Sequence, residues 1–256
     1  MGGRRRRRAT DPRAGEDPRP WATVWRAETD GGVFWDDTKT TILFLTANPL
    51  DTDQLRLSAE VHDIKAALRQ AEYGRRFDVQ EEWAVRISDL RRALLRYADQ
   101  PLILHFSGHG NAGAIYLENK IGRTQPVAAQ ALARFLAHFP NIQCIVLNAC
   151  YSNEVGDALV TVAPCVVGMA TDVTDVAAIQ FAEAFYDAIG AGKSFAHTFR
   201  LAETSAEMEG ILDFVRPVFR GHEAPPATPP VGKQELAELV PSAPKIWSRR
   251  LPQIAP

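Results

Sequence analysis

Apolar residues are distributed along this chain in two alternating ways: short unbroken runs, and longer stretches in which they return at every third or fourth position. The first kind reads as a strand buried on both faces, the second as a helix with one apolar side. Residues 41–46 form such a run, closed by the turn-forming pair Asn48-Pro49. Leu57, Val61, Ile64, Ala67, Leu68 and Ala71 follow at helical spacing and stop near Gly74, after which 77–80 alternates as a second strand. The pattern then predicts a helix over 88–97, a third strand over 102–106, a helix over 128–139 and a fourth strand over 142–147. A helix over about 153–162, a fifth strand over 165–169 and helices over about 176–189 and 194–209 come next.

Strands separated by helices of this length need crossover connections, which predicts an α/β fold with a mainly parallel sheet and helices on both faces. Ligands bind such folds beyond the carboxyl ends of the strands. Two polar breaks fall there: Ser107-Gly108-His109-Gly110 after the third strand and Asn148-Ala149-Cys150 after the fourth.

The two ends of the chain differ from this middle. Residues 1–20 hold seven arginines with Pro12, Pro18 and Pro20, too little apolar surface to offset ordering entropy, and read as a disordered arm. Over 21–40, Trp21, Trp25 and Trp35 flank a Gly31-Gly32 turn signal, a pattern for a short hairpin. The domain proper is expected over 41–222. Residues 223–256 carry eight of the seventeen prolines and read as an extended tail with a brief helical stretch over 234–239.

Composition narrows the class. The 256 residues are 46% hydrophobic and 23% charged, ordinary for a globular domain. A net charge of −2 excludes the strong positive field of a dedicated nucleic-acid binder, and the run Arg4–Arg8 reads as a solvated arm. No apolar run reaches membrane-spanning length and no signal-like segment follows the arginines, so a cytoplasmic protein without membrane contact is expected. Three cysteines describe neither a disulfide framework nor a zinc site, and no metal or other cofactor is expected.

Each thiol is therefore read separately. Cys144 and Cys165 lie inside apolar strands and read as core, the ordinary role of a buried cysteine. Cys150 follows a strand and precedes Ser152, an N-cap candidate, so the positive end of the next helix would favour its thiolate, with Glu154 partly countering this. If the third and fourth strands are neighbours, their tips lie about 5 Å apart, and His109 becomes the base for Cys150. Gly108 and Gly110 would leave the backbone bare and free to take positive φ, making Gly110 N–H and Cys150 N–H the expected oxyanion donors. His105, four residues before His109, would point into the helical layer as a buried, hydrogen-bonded histidine.

The residues His105-Phe-Ser-Gly-His109-Gly110 and Asn148-Ala-Cys150-Tyr-Ser152 resemble the CHAT domain, a branch of the caspase-like cysteine peptidases. Leu45-Thr-Ala-Asn-Pro-Leu50 and Gly190-Ala-Gly-Lys-Ser-Phe195 support the resemblance, which covers roughly residues 41–210 in the expected order. It implies a caspase-like three-layer sandwich and endopeptidase activity through a His109–Cys150 dyad and a thioester, harnessed to bacterial defence or programmed cell death. Protein or peptide substrates are implied, with Ser107, Asn148 and Asp172 as substrate-binding residues. Asn148, two before the nucleophile, would line the pocket for the side chain preceding the cleaved bond, and being neutral it favours neither charge. Asp172 and Asp175 could favour a basic side chain, although loop acids are more often solvated or capping. The flanks have no room for the recognition modules usual in this family, so control is expected from a protein partner or a short terminal segment. The stretch from Cys150 to the fifth strand is too short for a caspase-type cleavable linker.

Two other classes compete. A caspase-like fold retained as a catalytically silent binding scaffold would keep the architecture without turnover. A nucleotide-binding protein would use Gly192-Lys193-Ser194, but a P-loop needs a glycine where Asp187 stands and a strand before it. Ser107 lacks the first glycine of a nucleophile elbow.

Overall fold

The structure is a computed structural model that describes residues 26–27, 33–34 and 39–221. The expected arm over 1–20 and tail over 223–256 lie outside the described residues. Arg26–Ala27 (β1) and Val33–Phe34 (β2) pair antiparallel.

The apolar runs become the centre of a six-stranded sheet. Its strands are Thr40–Ala47 (β3), Phe77–Glu82 (β4), Leu102–Gly108 (β5), Ile142–Asn148 (β9), Cys165–Met169 (β10) and Pro217–Gly221 (β11). Their spatial order is β11-β10-β9-β5-β3-β4. All neighbours are parallel except β11, which runs antiparallel to β10. A second, three-stranded antiparallel sheet is built from Gly110–Asn111 (β6), Ala114–Glu118 (β7) and Thr124–Ala128 (β8). This small sheet and β11 extend the five-strand expectation.

Successive residues of a strand face opposite sides, and this alternation sorts the core into two layers. Ile42, Phe44, Ile103, Cys144, Val146, Val167 and Met169 face Leu57–Gln70 (α1), Asp175–Gly190 (α5) and Phe195–Met208 (α6). Leu43, Leu45, Leu104, Phe106, Ile145, Leu147 and Val166 face Ile87–Arg96 (α2), Ala129–Leu136 (α3) and Asn153–Leu159 (α4). Helix α5 packs between α1 and α6, which explains its apolar residues on several sides, among them Phe181, Phe185, Tyr186 and Ile189. Ser194 accepts a hydrogen bond from His197 N–H and caps α6, so the Gly192-Lys193-Ser194 stretch starts a helix directly after another helix. Among the described residues no helix is long and apolar enough to cross a membrane.

Two expectations for the strand tips are corrected. Gly108 and Gly110 do not take positive φ; among the described residues the glycines that do are Gly113, Gly122, Gly192 and Gly210. Gly108 is required by close approach instead, because a Cβ there would sit 2.6 Å from the Ala47 carbonyl oxygen on β3. Ser152 stands at the N-cap position of α4 without capping it. Its hydroxyl donates to Leu147 O at 2.8 Å and accepts from Met169 N–H at 2.9 Å, binding β9 to β10. Helix α4 ends at Leu159, shorter than expected.

Candidate active site

β5 and β9 are hydrogen-bonded neighbours with Ser107 opposite Asn148, so the two polar breaks leave the sheet side by side. Residues 103, 105 and 107 of β5 and 144, 146 and 148 of β9 share the face toward α1 and α5. Beyond the last paired residues, His109 and Cys150 both line one cavity of about 280 Å³. Ser107, Asn148 and Asp172 line it too, as do Asp53, Glu60, Val173 and Asp175. Among the described residues no three His, Cys, Asp or Glu side chains are grouped to hold a metal ion.

The chain turns from β9 into α4 within residues 149–152, and Tyr151 takes a φ of 52°, a left-handed conformation costly for a side chain with a Cβ. The turn leaves Cys150 half-buried, while Cys144 and Cys165 are fully buried. Val173 brackets the Cys150 sulfur: its N–H donates to Sγ at 3.4 Å, and the thiol reaches its carbonyl at 3.9 Å. The Tyr151 hydroxyl donates a hydrogen bond to Asp172 at 3.1 Å, and that bond and the Asp172 charge hold the tyrosine pKa above its ordinary value.

His109 Nε2 lies 2.7 Å from the backbone oxygen of Asp53. A carbonyl only accepts, so Nε2 carries the hydrogen and Nδ1 is left with the free lone pair. The Asp53 loop is anchored at several points. Asn48 holds both backbone groups of Leu55, accepting from its N–H at 3.2 Å and donating to its O at 3.1 Å. Asp51 accepts from the N–H and hydroxyl of Thr124 at 2.8 and 2.9 Å, contacts that lower its carboxyl from the ordinary value. Asn48 N–H also reaches Glu118 on β7. The small sheet thereby fixes the loop that orients His109.

The same sheet positions Gly110. Tyr116 N–H bonds His109 O at 3.0 Å, so 109 and 116 form a hydrogen-bonded pair and the next pair, Gly110 with Ile115, is a non-bonded one. This alternation turns Gly110 N–H away from β7. A Cβ at Gly110 would lie 3.2 Å from Cys150 O and 3.3 Å from Ala149 Cβ, which places its backbone directly against the cysteine turn.

The inner wall of the cavity was not foreseen. Glu60 of α1 is 3% exposed and accepts three hydrogen bonds: from Asn148 Nδ2 at 2.6 Å, from His105 Nε2 at 3.0 Å and from the Ser107 hydroxyl. His105 Nδ1 lies 3.0 Å from the Tyr186 hydroxyl. Burial pushes the pKa of that hydroxyl well above its ordinary range, so it stays protonated. The imidazole bridges the two groups, with Nδ1 against the tyrosine and Nε2 against Glu60. Asn148 Nδ2 also donates to Ala178 O at 3.2 Å, which fixes the amide orientation and leaves Oδ1 buried without a partner. His105 thus occupies the helical layer, as expected, yet its partner forms part of the cavity wall. A signal for Glu60 was present: it falls three residues after Leu57 and four before Ile64, on a helix stripe otherwise apolar.

Comparison with known proteins places the fold. The fold is similar to that of a secreted C11 cysteine protease from Bacteroides thetaiotaomicron in complex with an irreversible peptide inhibitor, with a TM-score of 0.53 and 14% identity. That likeness covers 67% of this chain and 59% of the other, so the chain spans about three fifths of that protein. It is also similar to caspase-1 from Spodoptera frugiperda, with a TM-score of 0.51 and 10% identity over 72% of this chain and 87% of the other. At these identities the likeness establishes the fold, a caspase-like three-layer sandwich. None of the curated proteins matches the sequence. The CHAT domain family matches residues 7–248, all but the first six and last eight residues, and the chain belongs to that family.

Proposed function

We propose that the protein is a cysteine endopeptidase in which Cys150 is the nucleophile and His109 the general base and acid. The observation that carries this reading is the convergence of both side chains on one cavity at the tips of two adjacent parallel strands. Cys150 Sγ, deprotonated by His109 Nδ1, attacks a substrate carbonyl, and the resulting oxyanion is held by Gly110 N–H and Cys150 N–H. The tetrahedral intermediate collapses to a thioester as His109 returns the proton to the leaving amine. His109 then deprotonates a water that hydrolyses the thioester and frees the thiol. The Asp53 carbonyl holds the imidazole in the tautomer these steps need, and Val173 N–H supports the thiolate. Ser107, Asn148 and Asp172 shape the adjoining substrate pocket. In the cell we assign the activity to regulated proteolysis in defence or programmed cell death, under the control of a protein partner.

The test is covalent labelling by an irreversible thiol-directed peptide, followed by mass mapping. Wild type is expected to be labelled at Cys150, Cys150→Ala not at all, and His109→Ala more slowly by about a hundredfold or more. Equal labelling of all three proteins would identify a silent scaffold.

A further inference from the structure

We infer that the cavity binds a lysine or arginine side chain of the substrate, the residue whose carbonyl Cys150 attacks, with Glu60 as its buried counter-charge. This deepens the peptidase reading and rests on it. The cavity, at about 280 Å³, falls just below the pockets of drug-sized ligands, roughly 300–1,000 Å³, and suits a single long side chain. Four acids line it, Asp53, Glu60, Asp172 and Asp175, and among the described residues no lysine or arginine does.

Their surroundings separate these acids. Asp175 is already matched, 2.7 Å from Arg56 Nε. Asp172 is exposed, and its carboxylate accepts from the Tyr151 hydroxyl. Glu60 is different in kind. It is 3% exposed, and its partners are the His105 imidazole, a hydroxyl and an amide. Among the described residues no lysine or arginine pairs with it, although a buried acid ordinarily has such a partner. Beside it, Asn148 is 5% exposed, lines the same cavity and keeps Oδ1 without a donor. A cationic side chain in the cavity would give Asn148 Oδ1 its donor and offset the charge of the acids around it. An aspartate in the substrate would face like charges, and a leucine would shield Glu60 from water without pairing it.

The experiment compares four irreversible peptidyl acyloxymethyl ketones that differ only in the residue next to the ketone: arginine, lysine, leucine or aspartate. Rates of attachment to Cys150 are read by intact mass and peptide mapping on the full chain. The arginine or lysine reagent is expected to react at least about tenfold faster than the other two. The ratio of arginine to leucine rates is expected to fall by about thirtyfold in Glu60→Gln and by about threefold in Asp172→Asn, whose carboxylate is exposed. Fastest reaction with leucine or aspartate overturns the inference and leaves the peptidase intact, as does a ratio unchanged in both variants. Labelling of Cys150 by none of the four overturns the peptidase reading and the inference with it. Should Glu60→Gln lose its fold by circular dichroism, Asp172→Asn decides alone.

Discussion

Along β5, Leu102, Leu104 and Phe106 face α2 and α3 across an apolar layer, whereas Ile103, His105 and Ser107 face α1 and α5 and end in the polar group around Glu60. One strand thus has a face that only packs and a face that turns polar as it nears its tip. The polar face is the more expensive to build, since each buried donor and acceptor must find a partner or lose its hydration without return. Its placement follows the pleat, which puts 105 and 107 of β5 and 148 of β9 on one side of two adjacent strands. The candidate dyad follows in the turns just beyond the last paired residues.

Substitutions on the two faces should therefore behave differently. The largest stability loss is expected on the apolar face, where Phe106→Ala removes a fully buried ring and should cost about 3–5 kcal/mol in urea unfolding. Its labelling rate per folded molecule should change far less than its stability. On the polar face, Ser107→Ala removes one donor to Glu60 and should cost about 1–2 kcal/mol. There the peptide labelling rate of the folded protein should fall as well, because Glu60 and Asn148 lose their shared geometry. Tyr186→Phe is the mildest, about 1 kcal/mol, from a single lost hydrogen bond to His105 Nδ1. Stability losses on both faces with labelling unchanged on either would dissolve the distinction and make the polar group a purely structural one.

The sequence carried the frame of the molecule more clearly than the site's walls. The buried parallel strands stand out because both faces are largely apolar, which leaves short apolar runs at 41–46, 102–106 and 142–147, each with few polar positions. The small sheet over 110–128 left no such mark: its strands are two to five residues long, and Pro126 and two turn glycines interrupt the pattern. Strand β11 opens on a proline and lies at the sheet edge, where apolar content is not required. His109 and Cys150 were legible because polar, glycine-bearing turns after apolar runs are conspicuous. Glu60 was marked only as one acid on an apolar helix stripe; its partner Ser107 lies 47 residues further along the chain, a proximity that only the register of α1 against the sheet creates. Asp53 contributes a backbone carbonyl, a group every residue has, so no side-chain pattern could announce it.

The 2.6 Å approach between a would-be Cβ at Gly108 and the Ala47 carbonyl bears on how this chain can change over generations. Single substitutions at the exposed Asp172 are open to mutational drift and can retune the pocket in small steps. Position 108 offers no such gradual route, since any side chain there must first wedge two central strands apart. The scaffold beneath the histidine is thereby locked against single-step variation, while the exposed residues around the cavity stay free to vary.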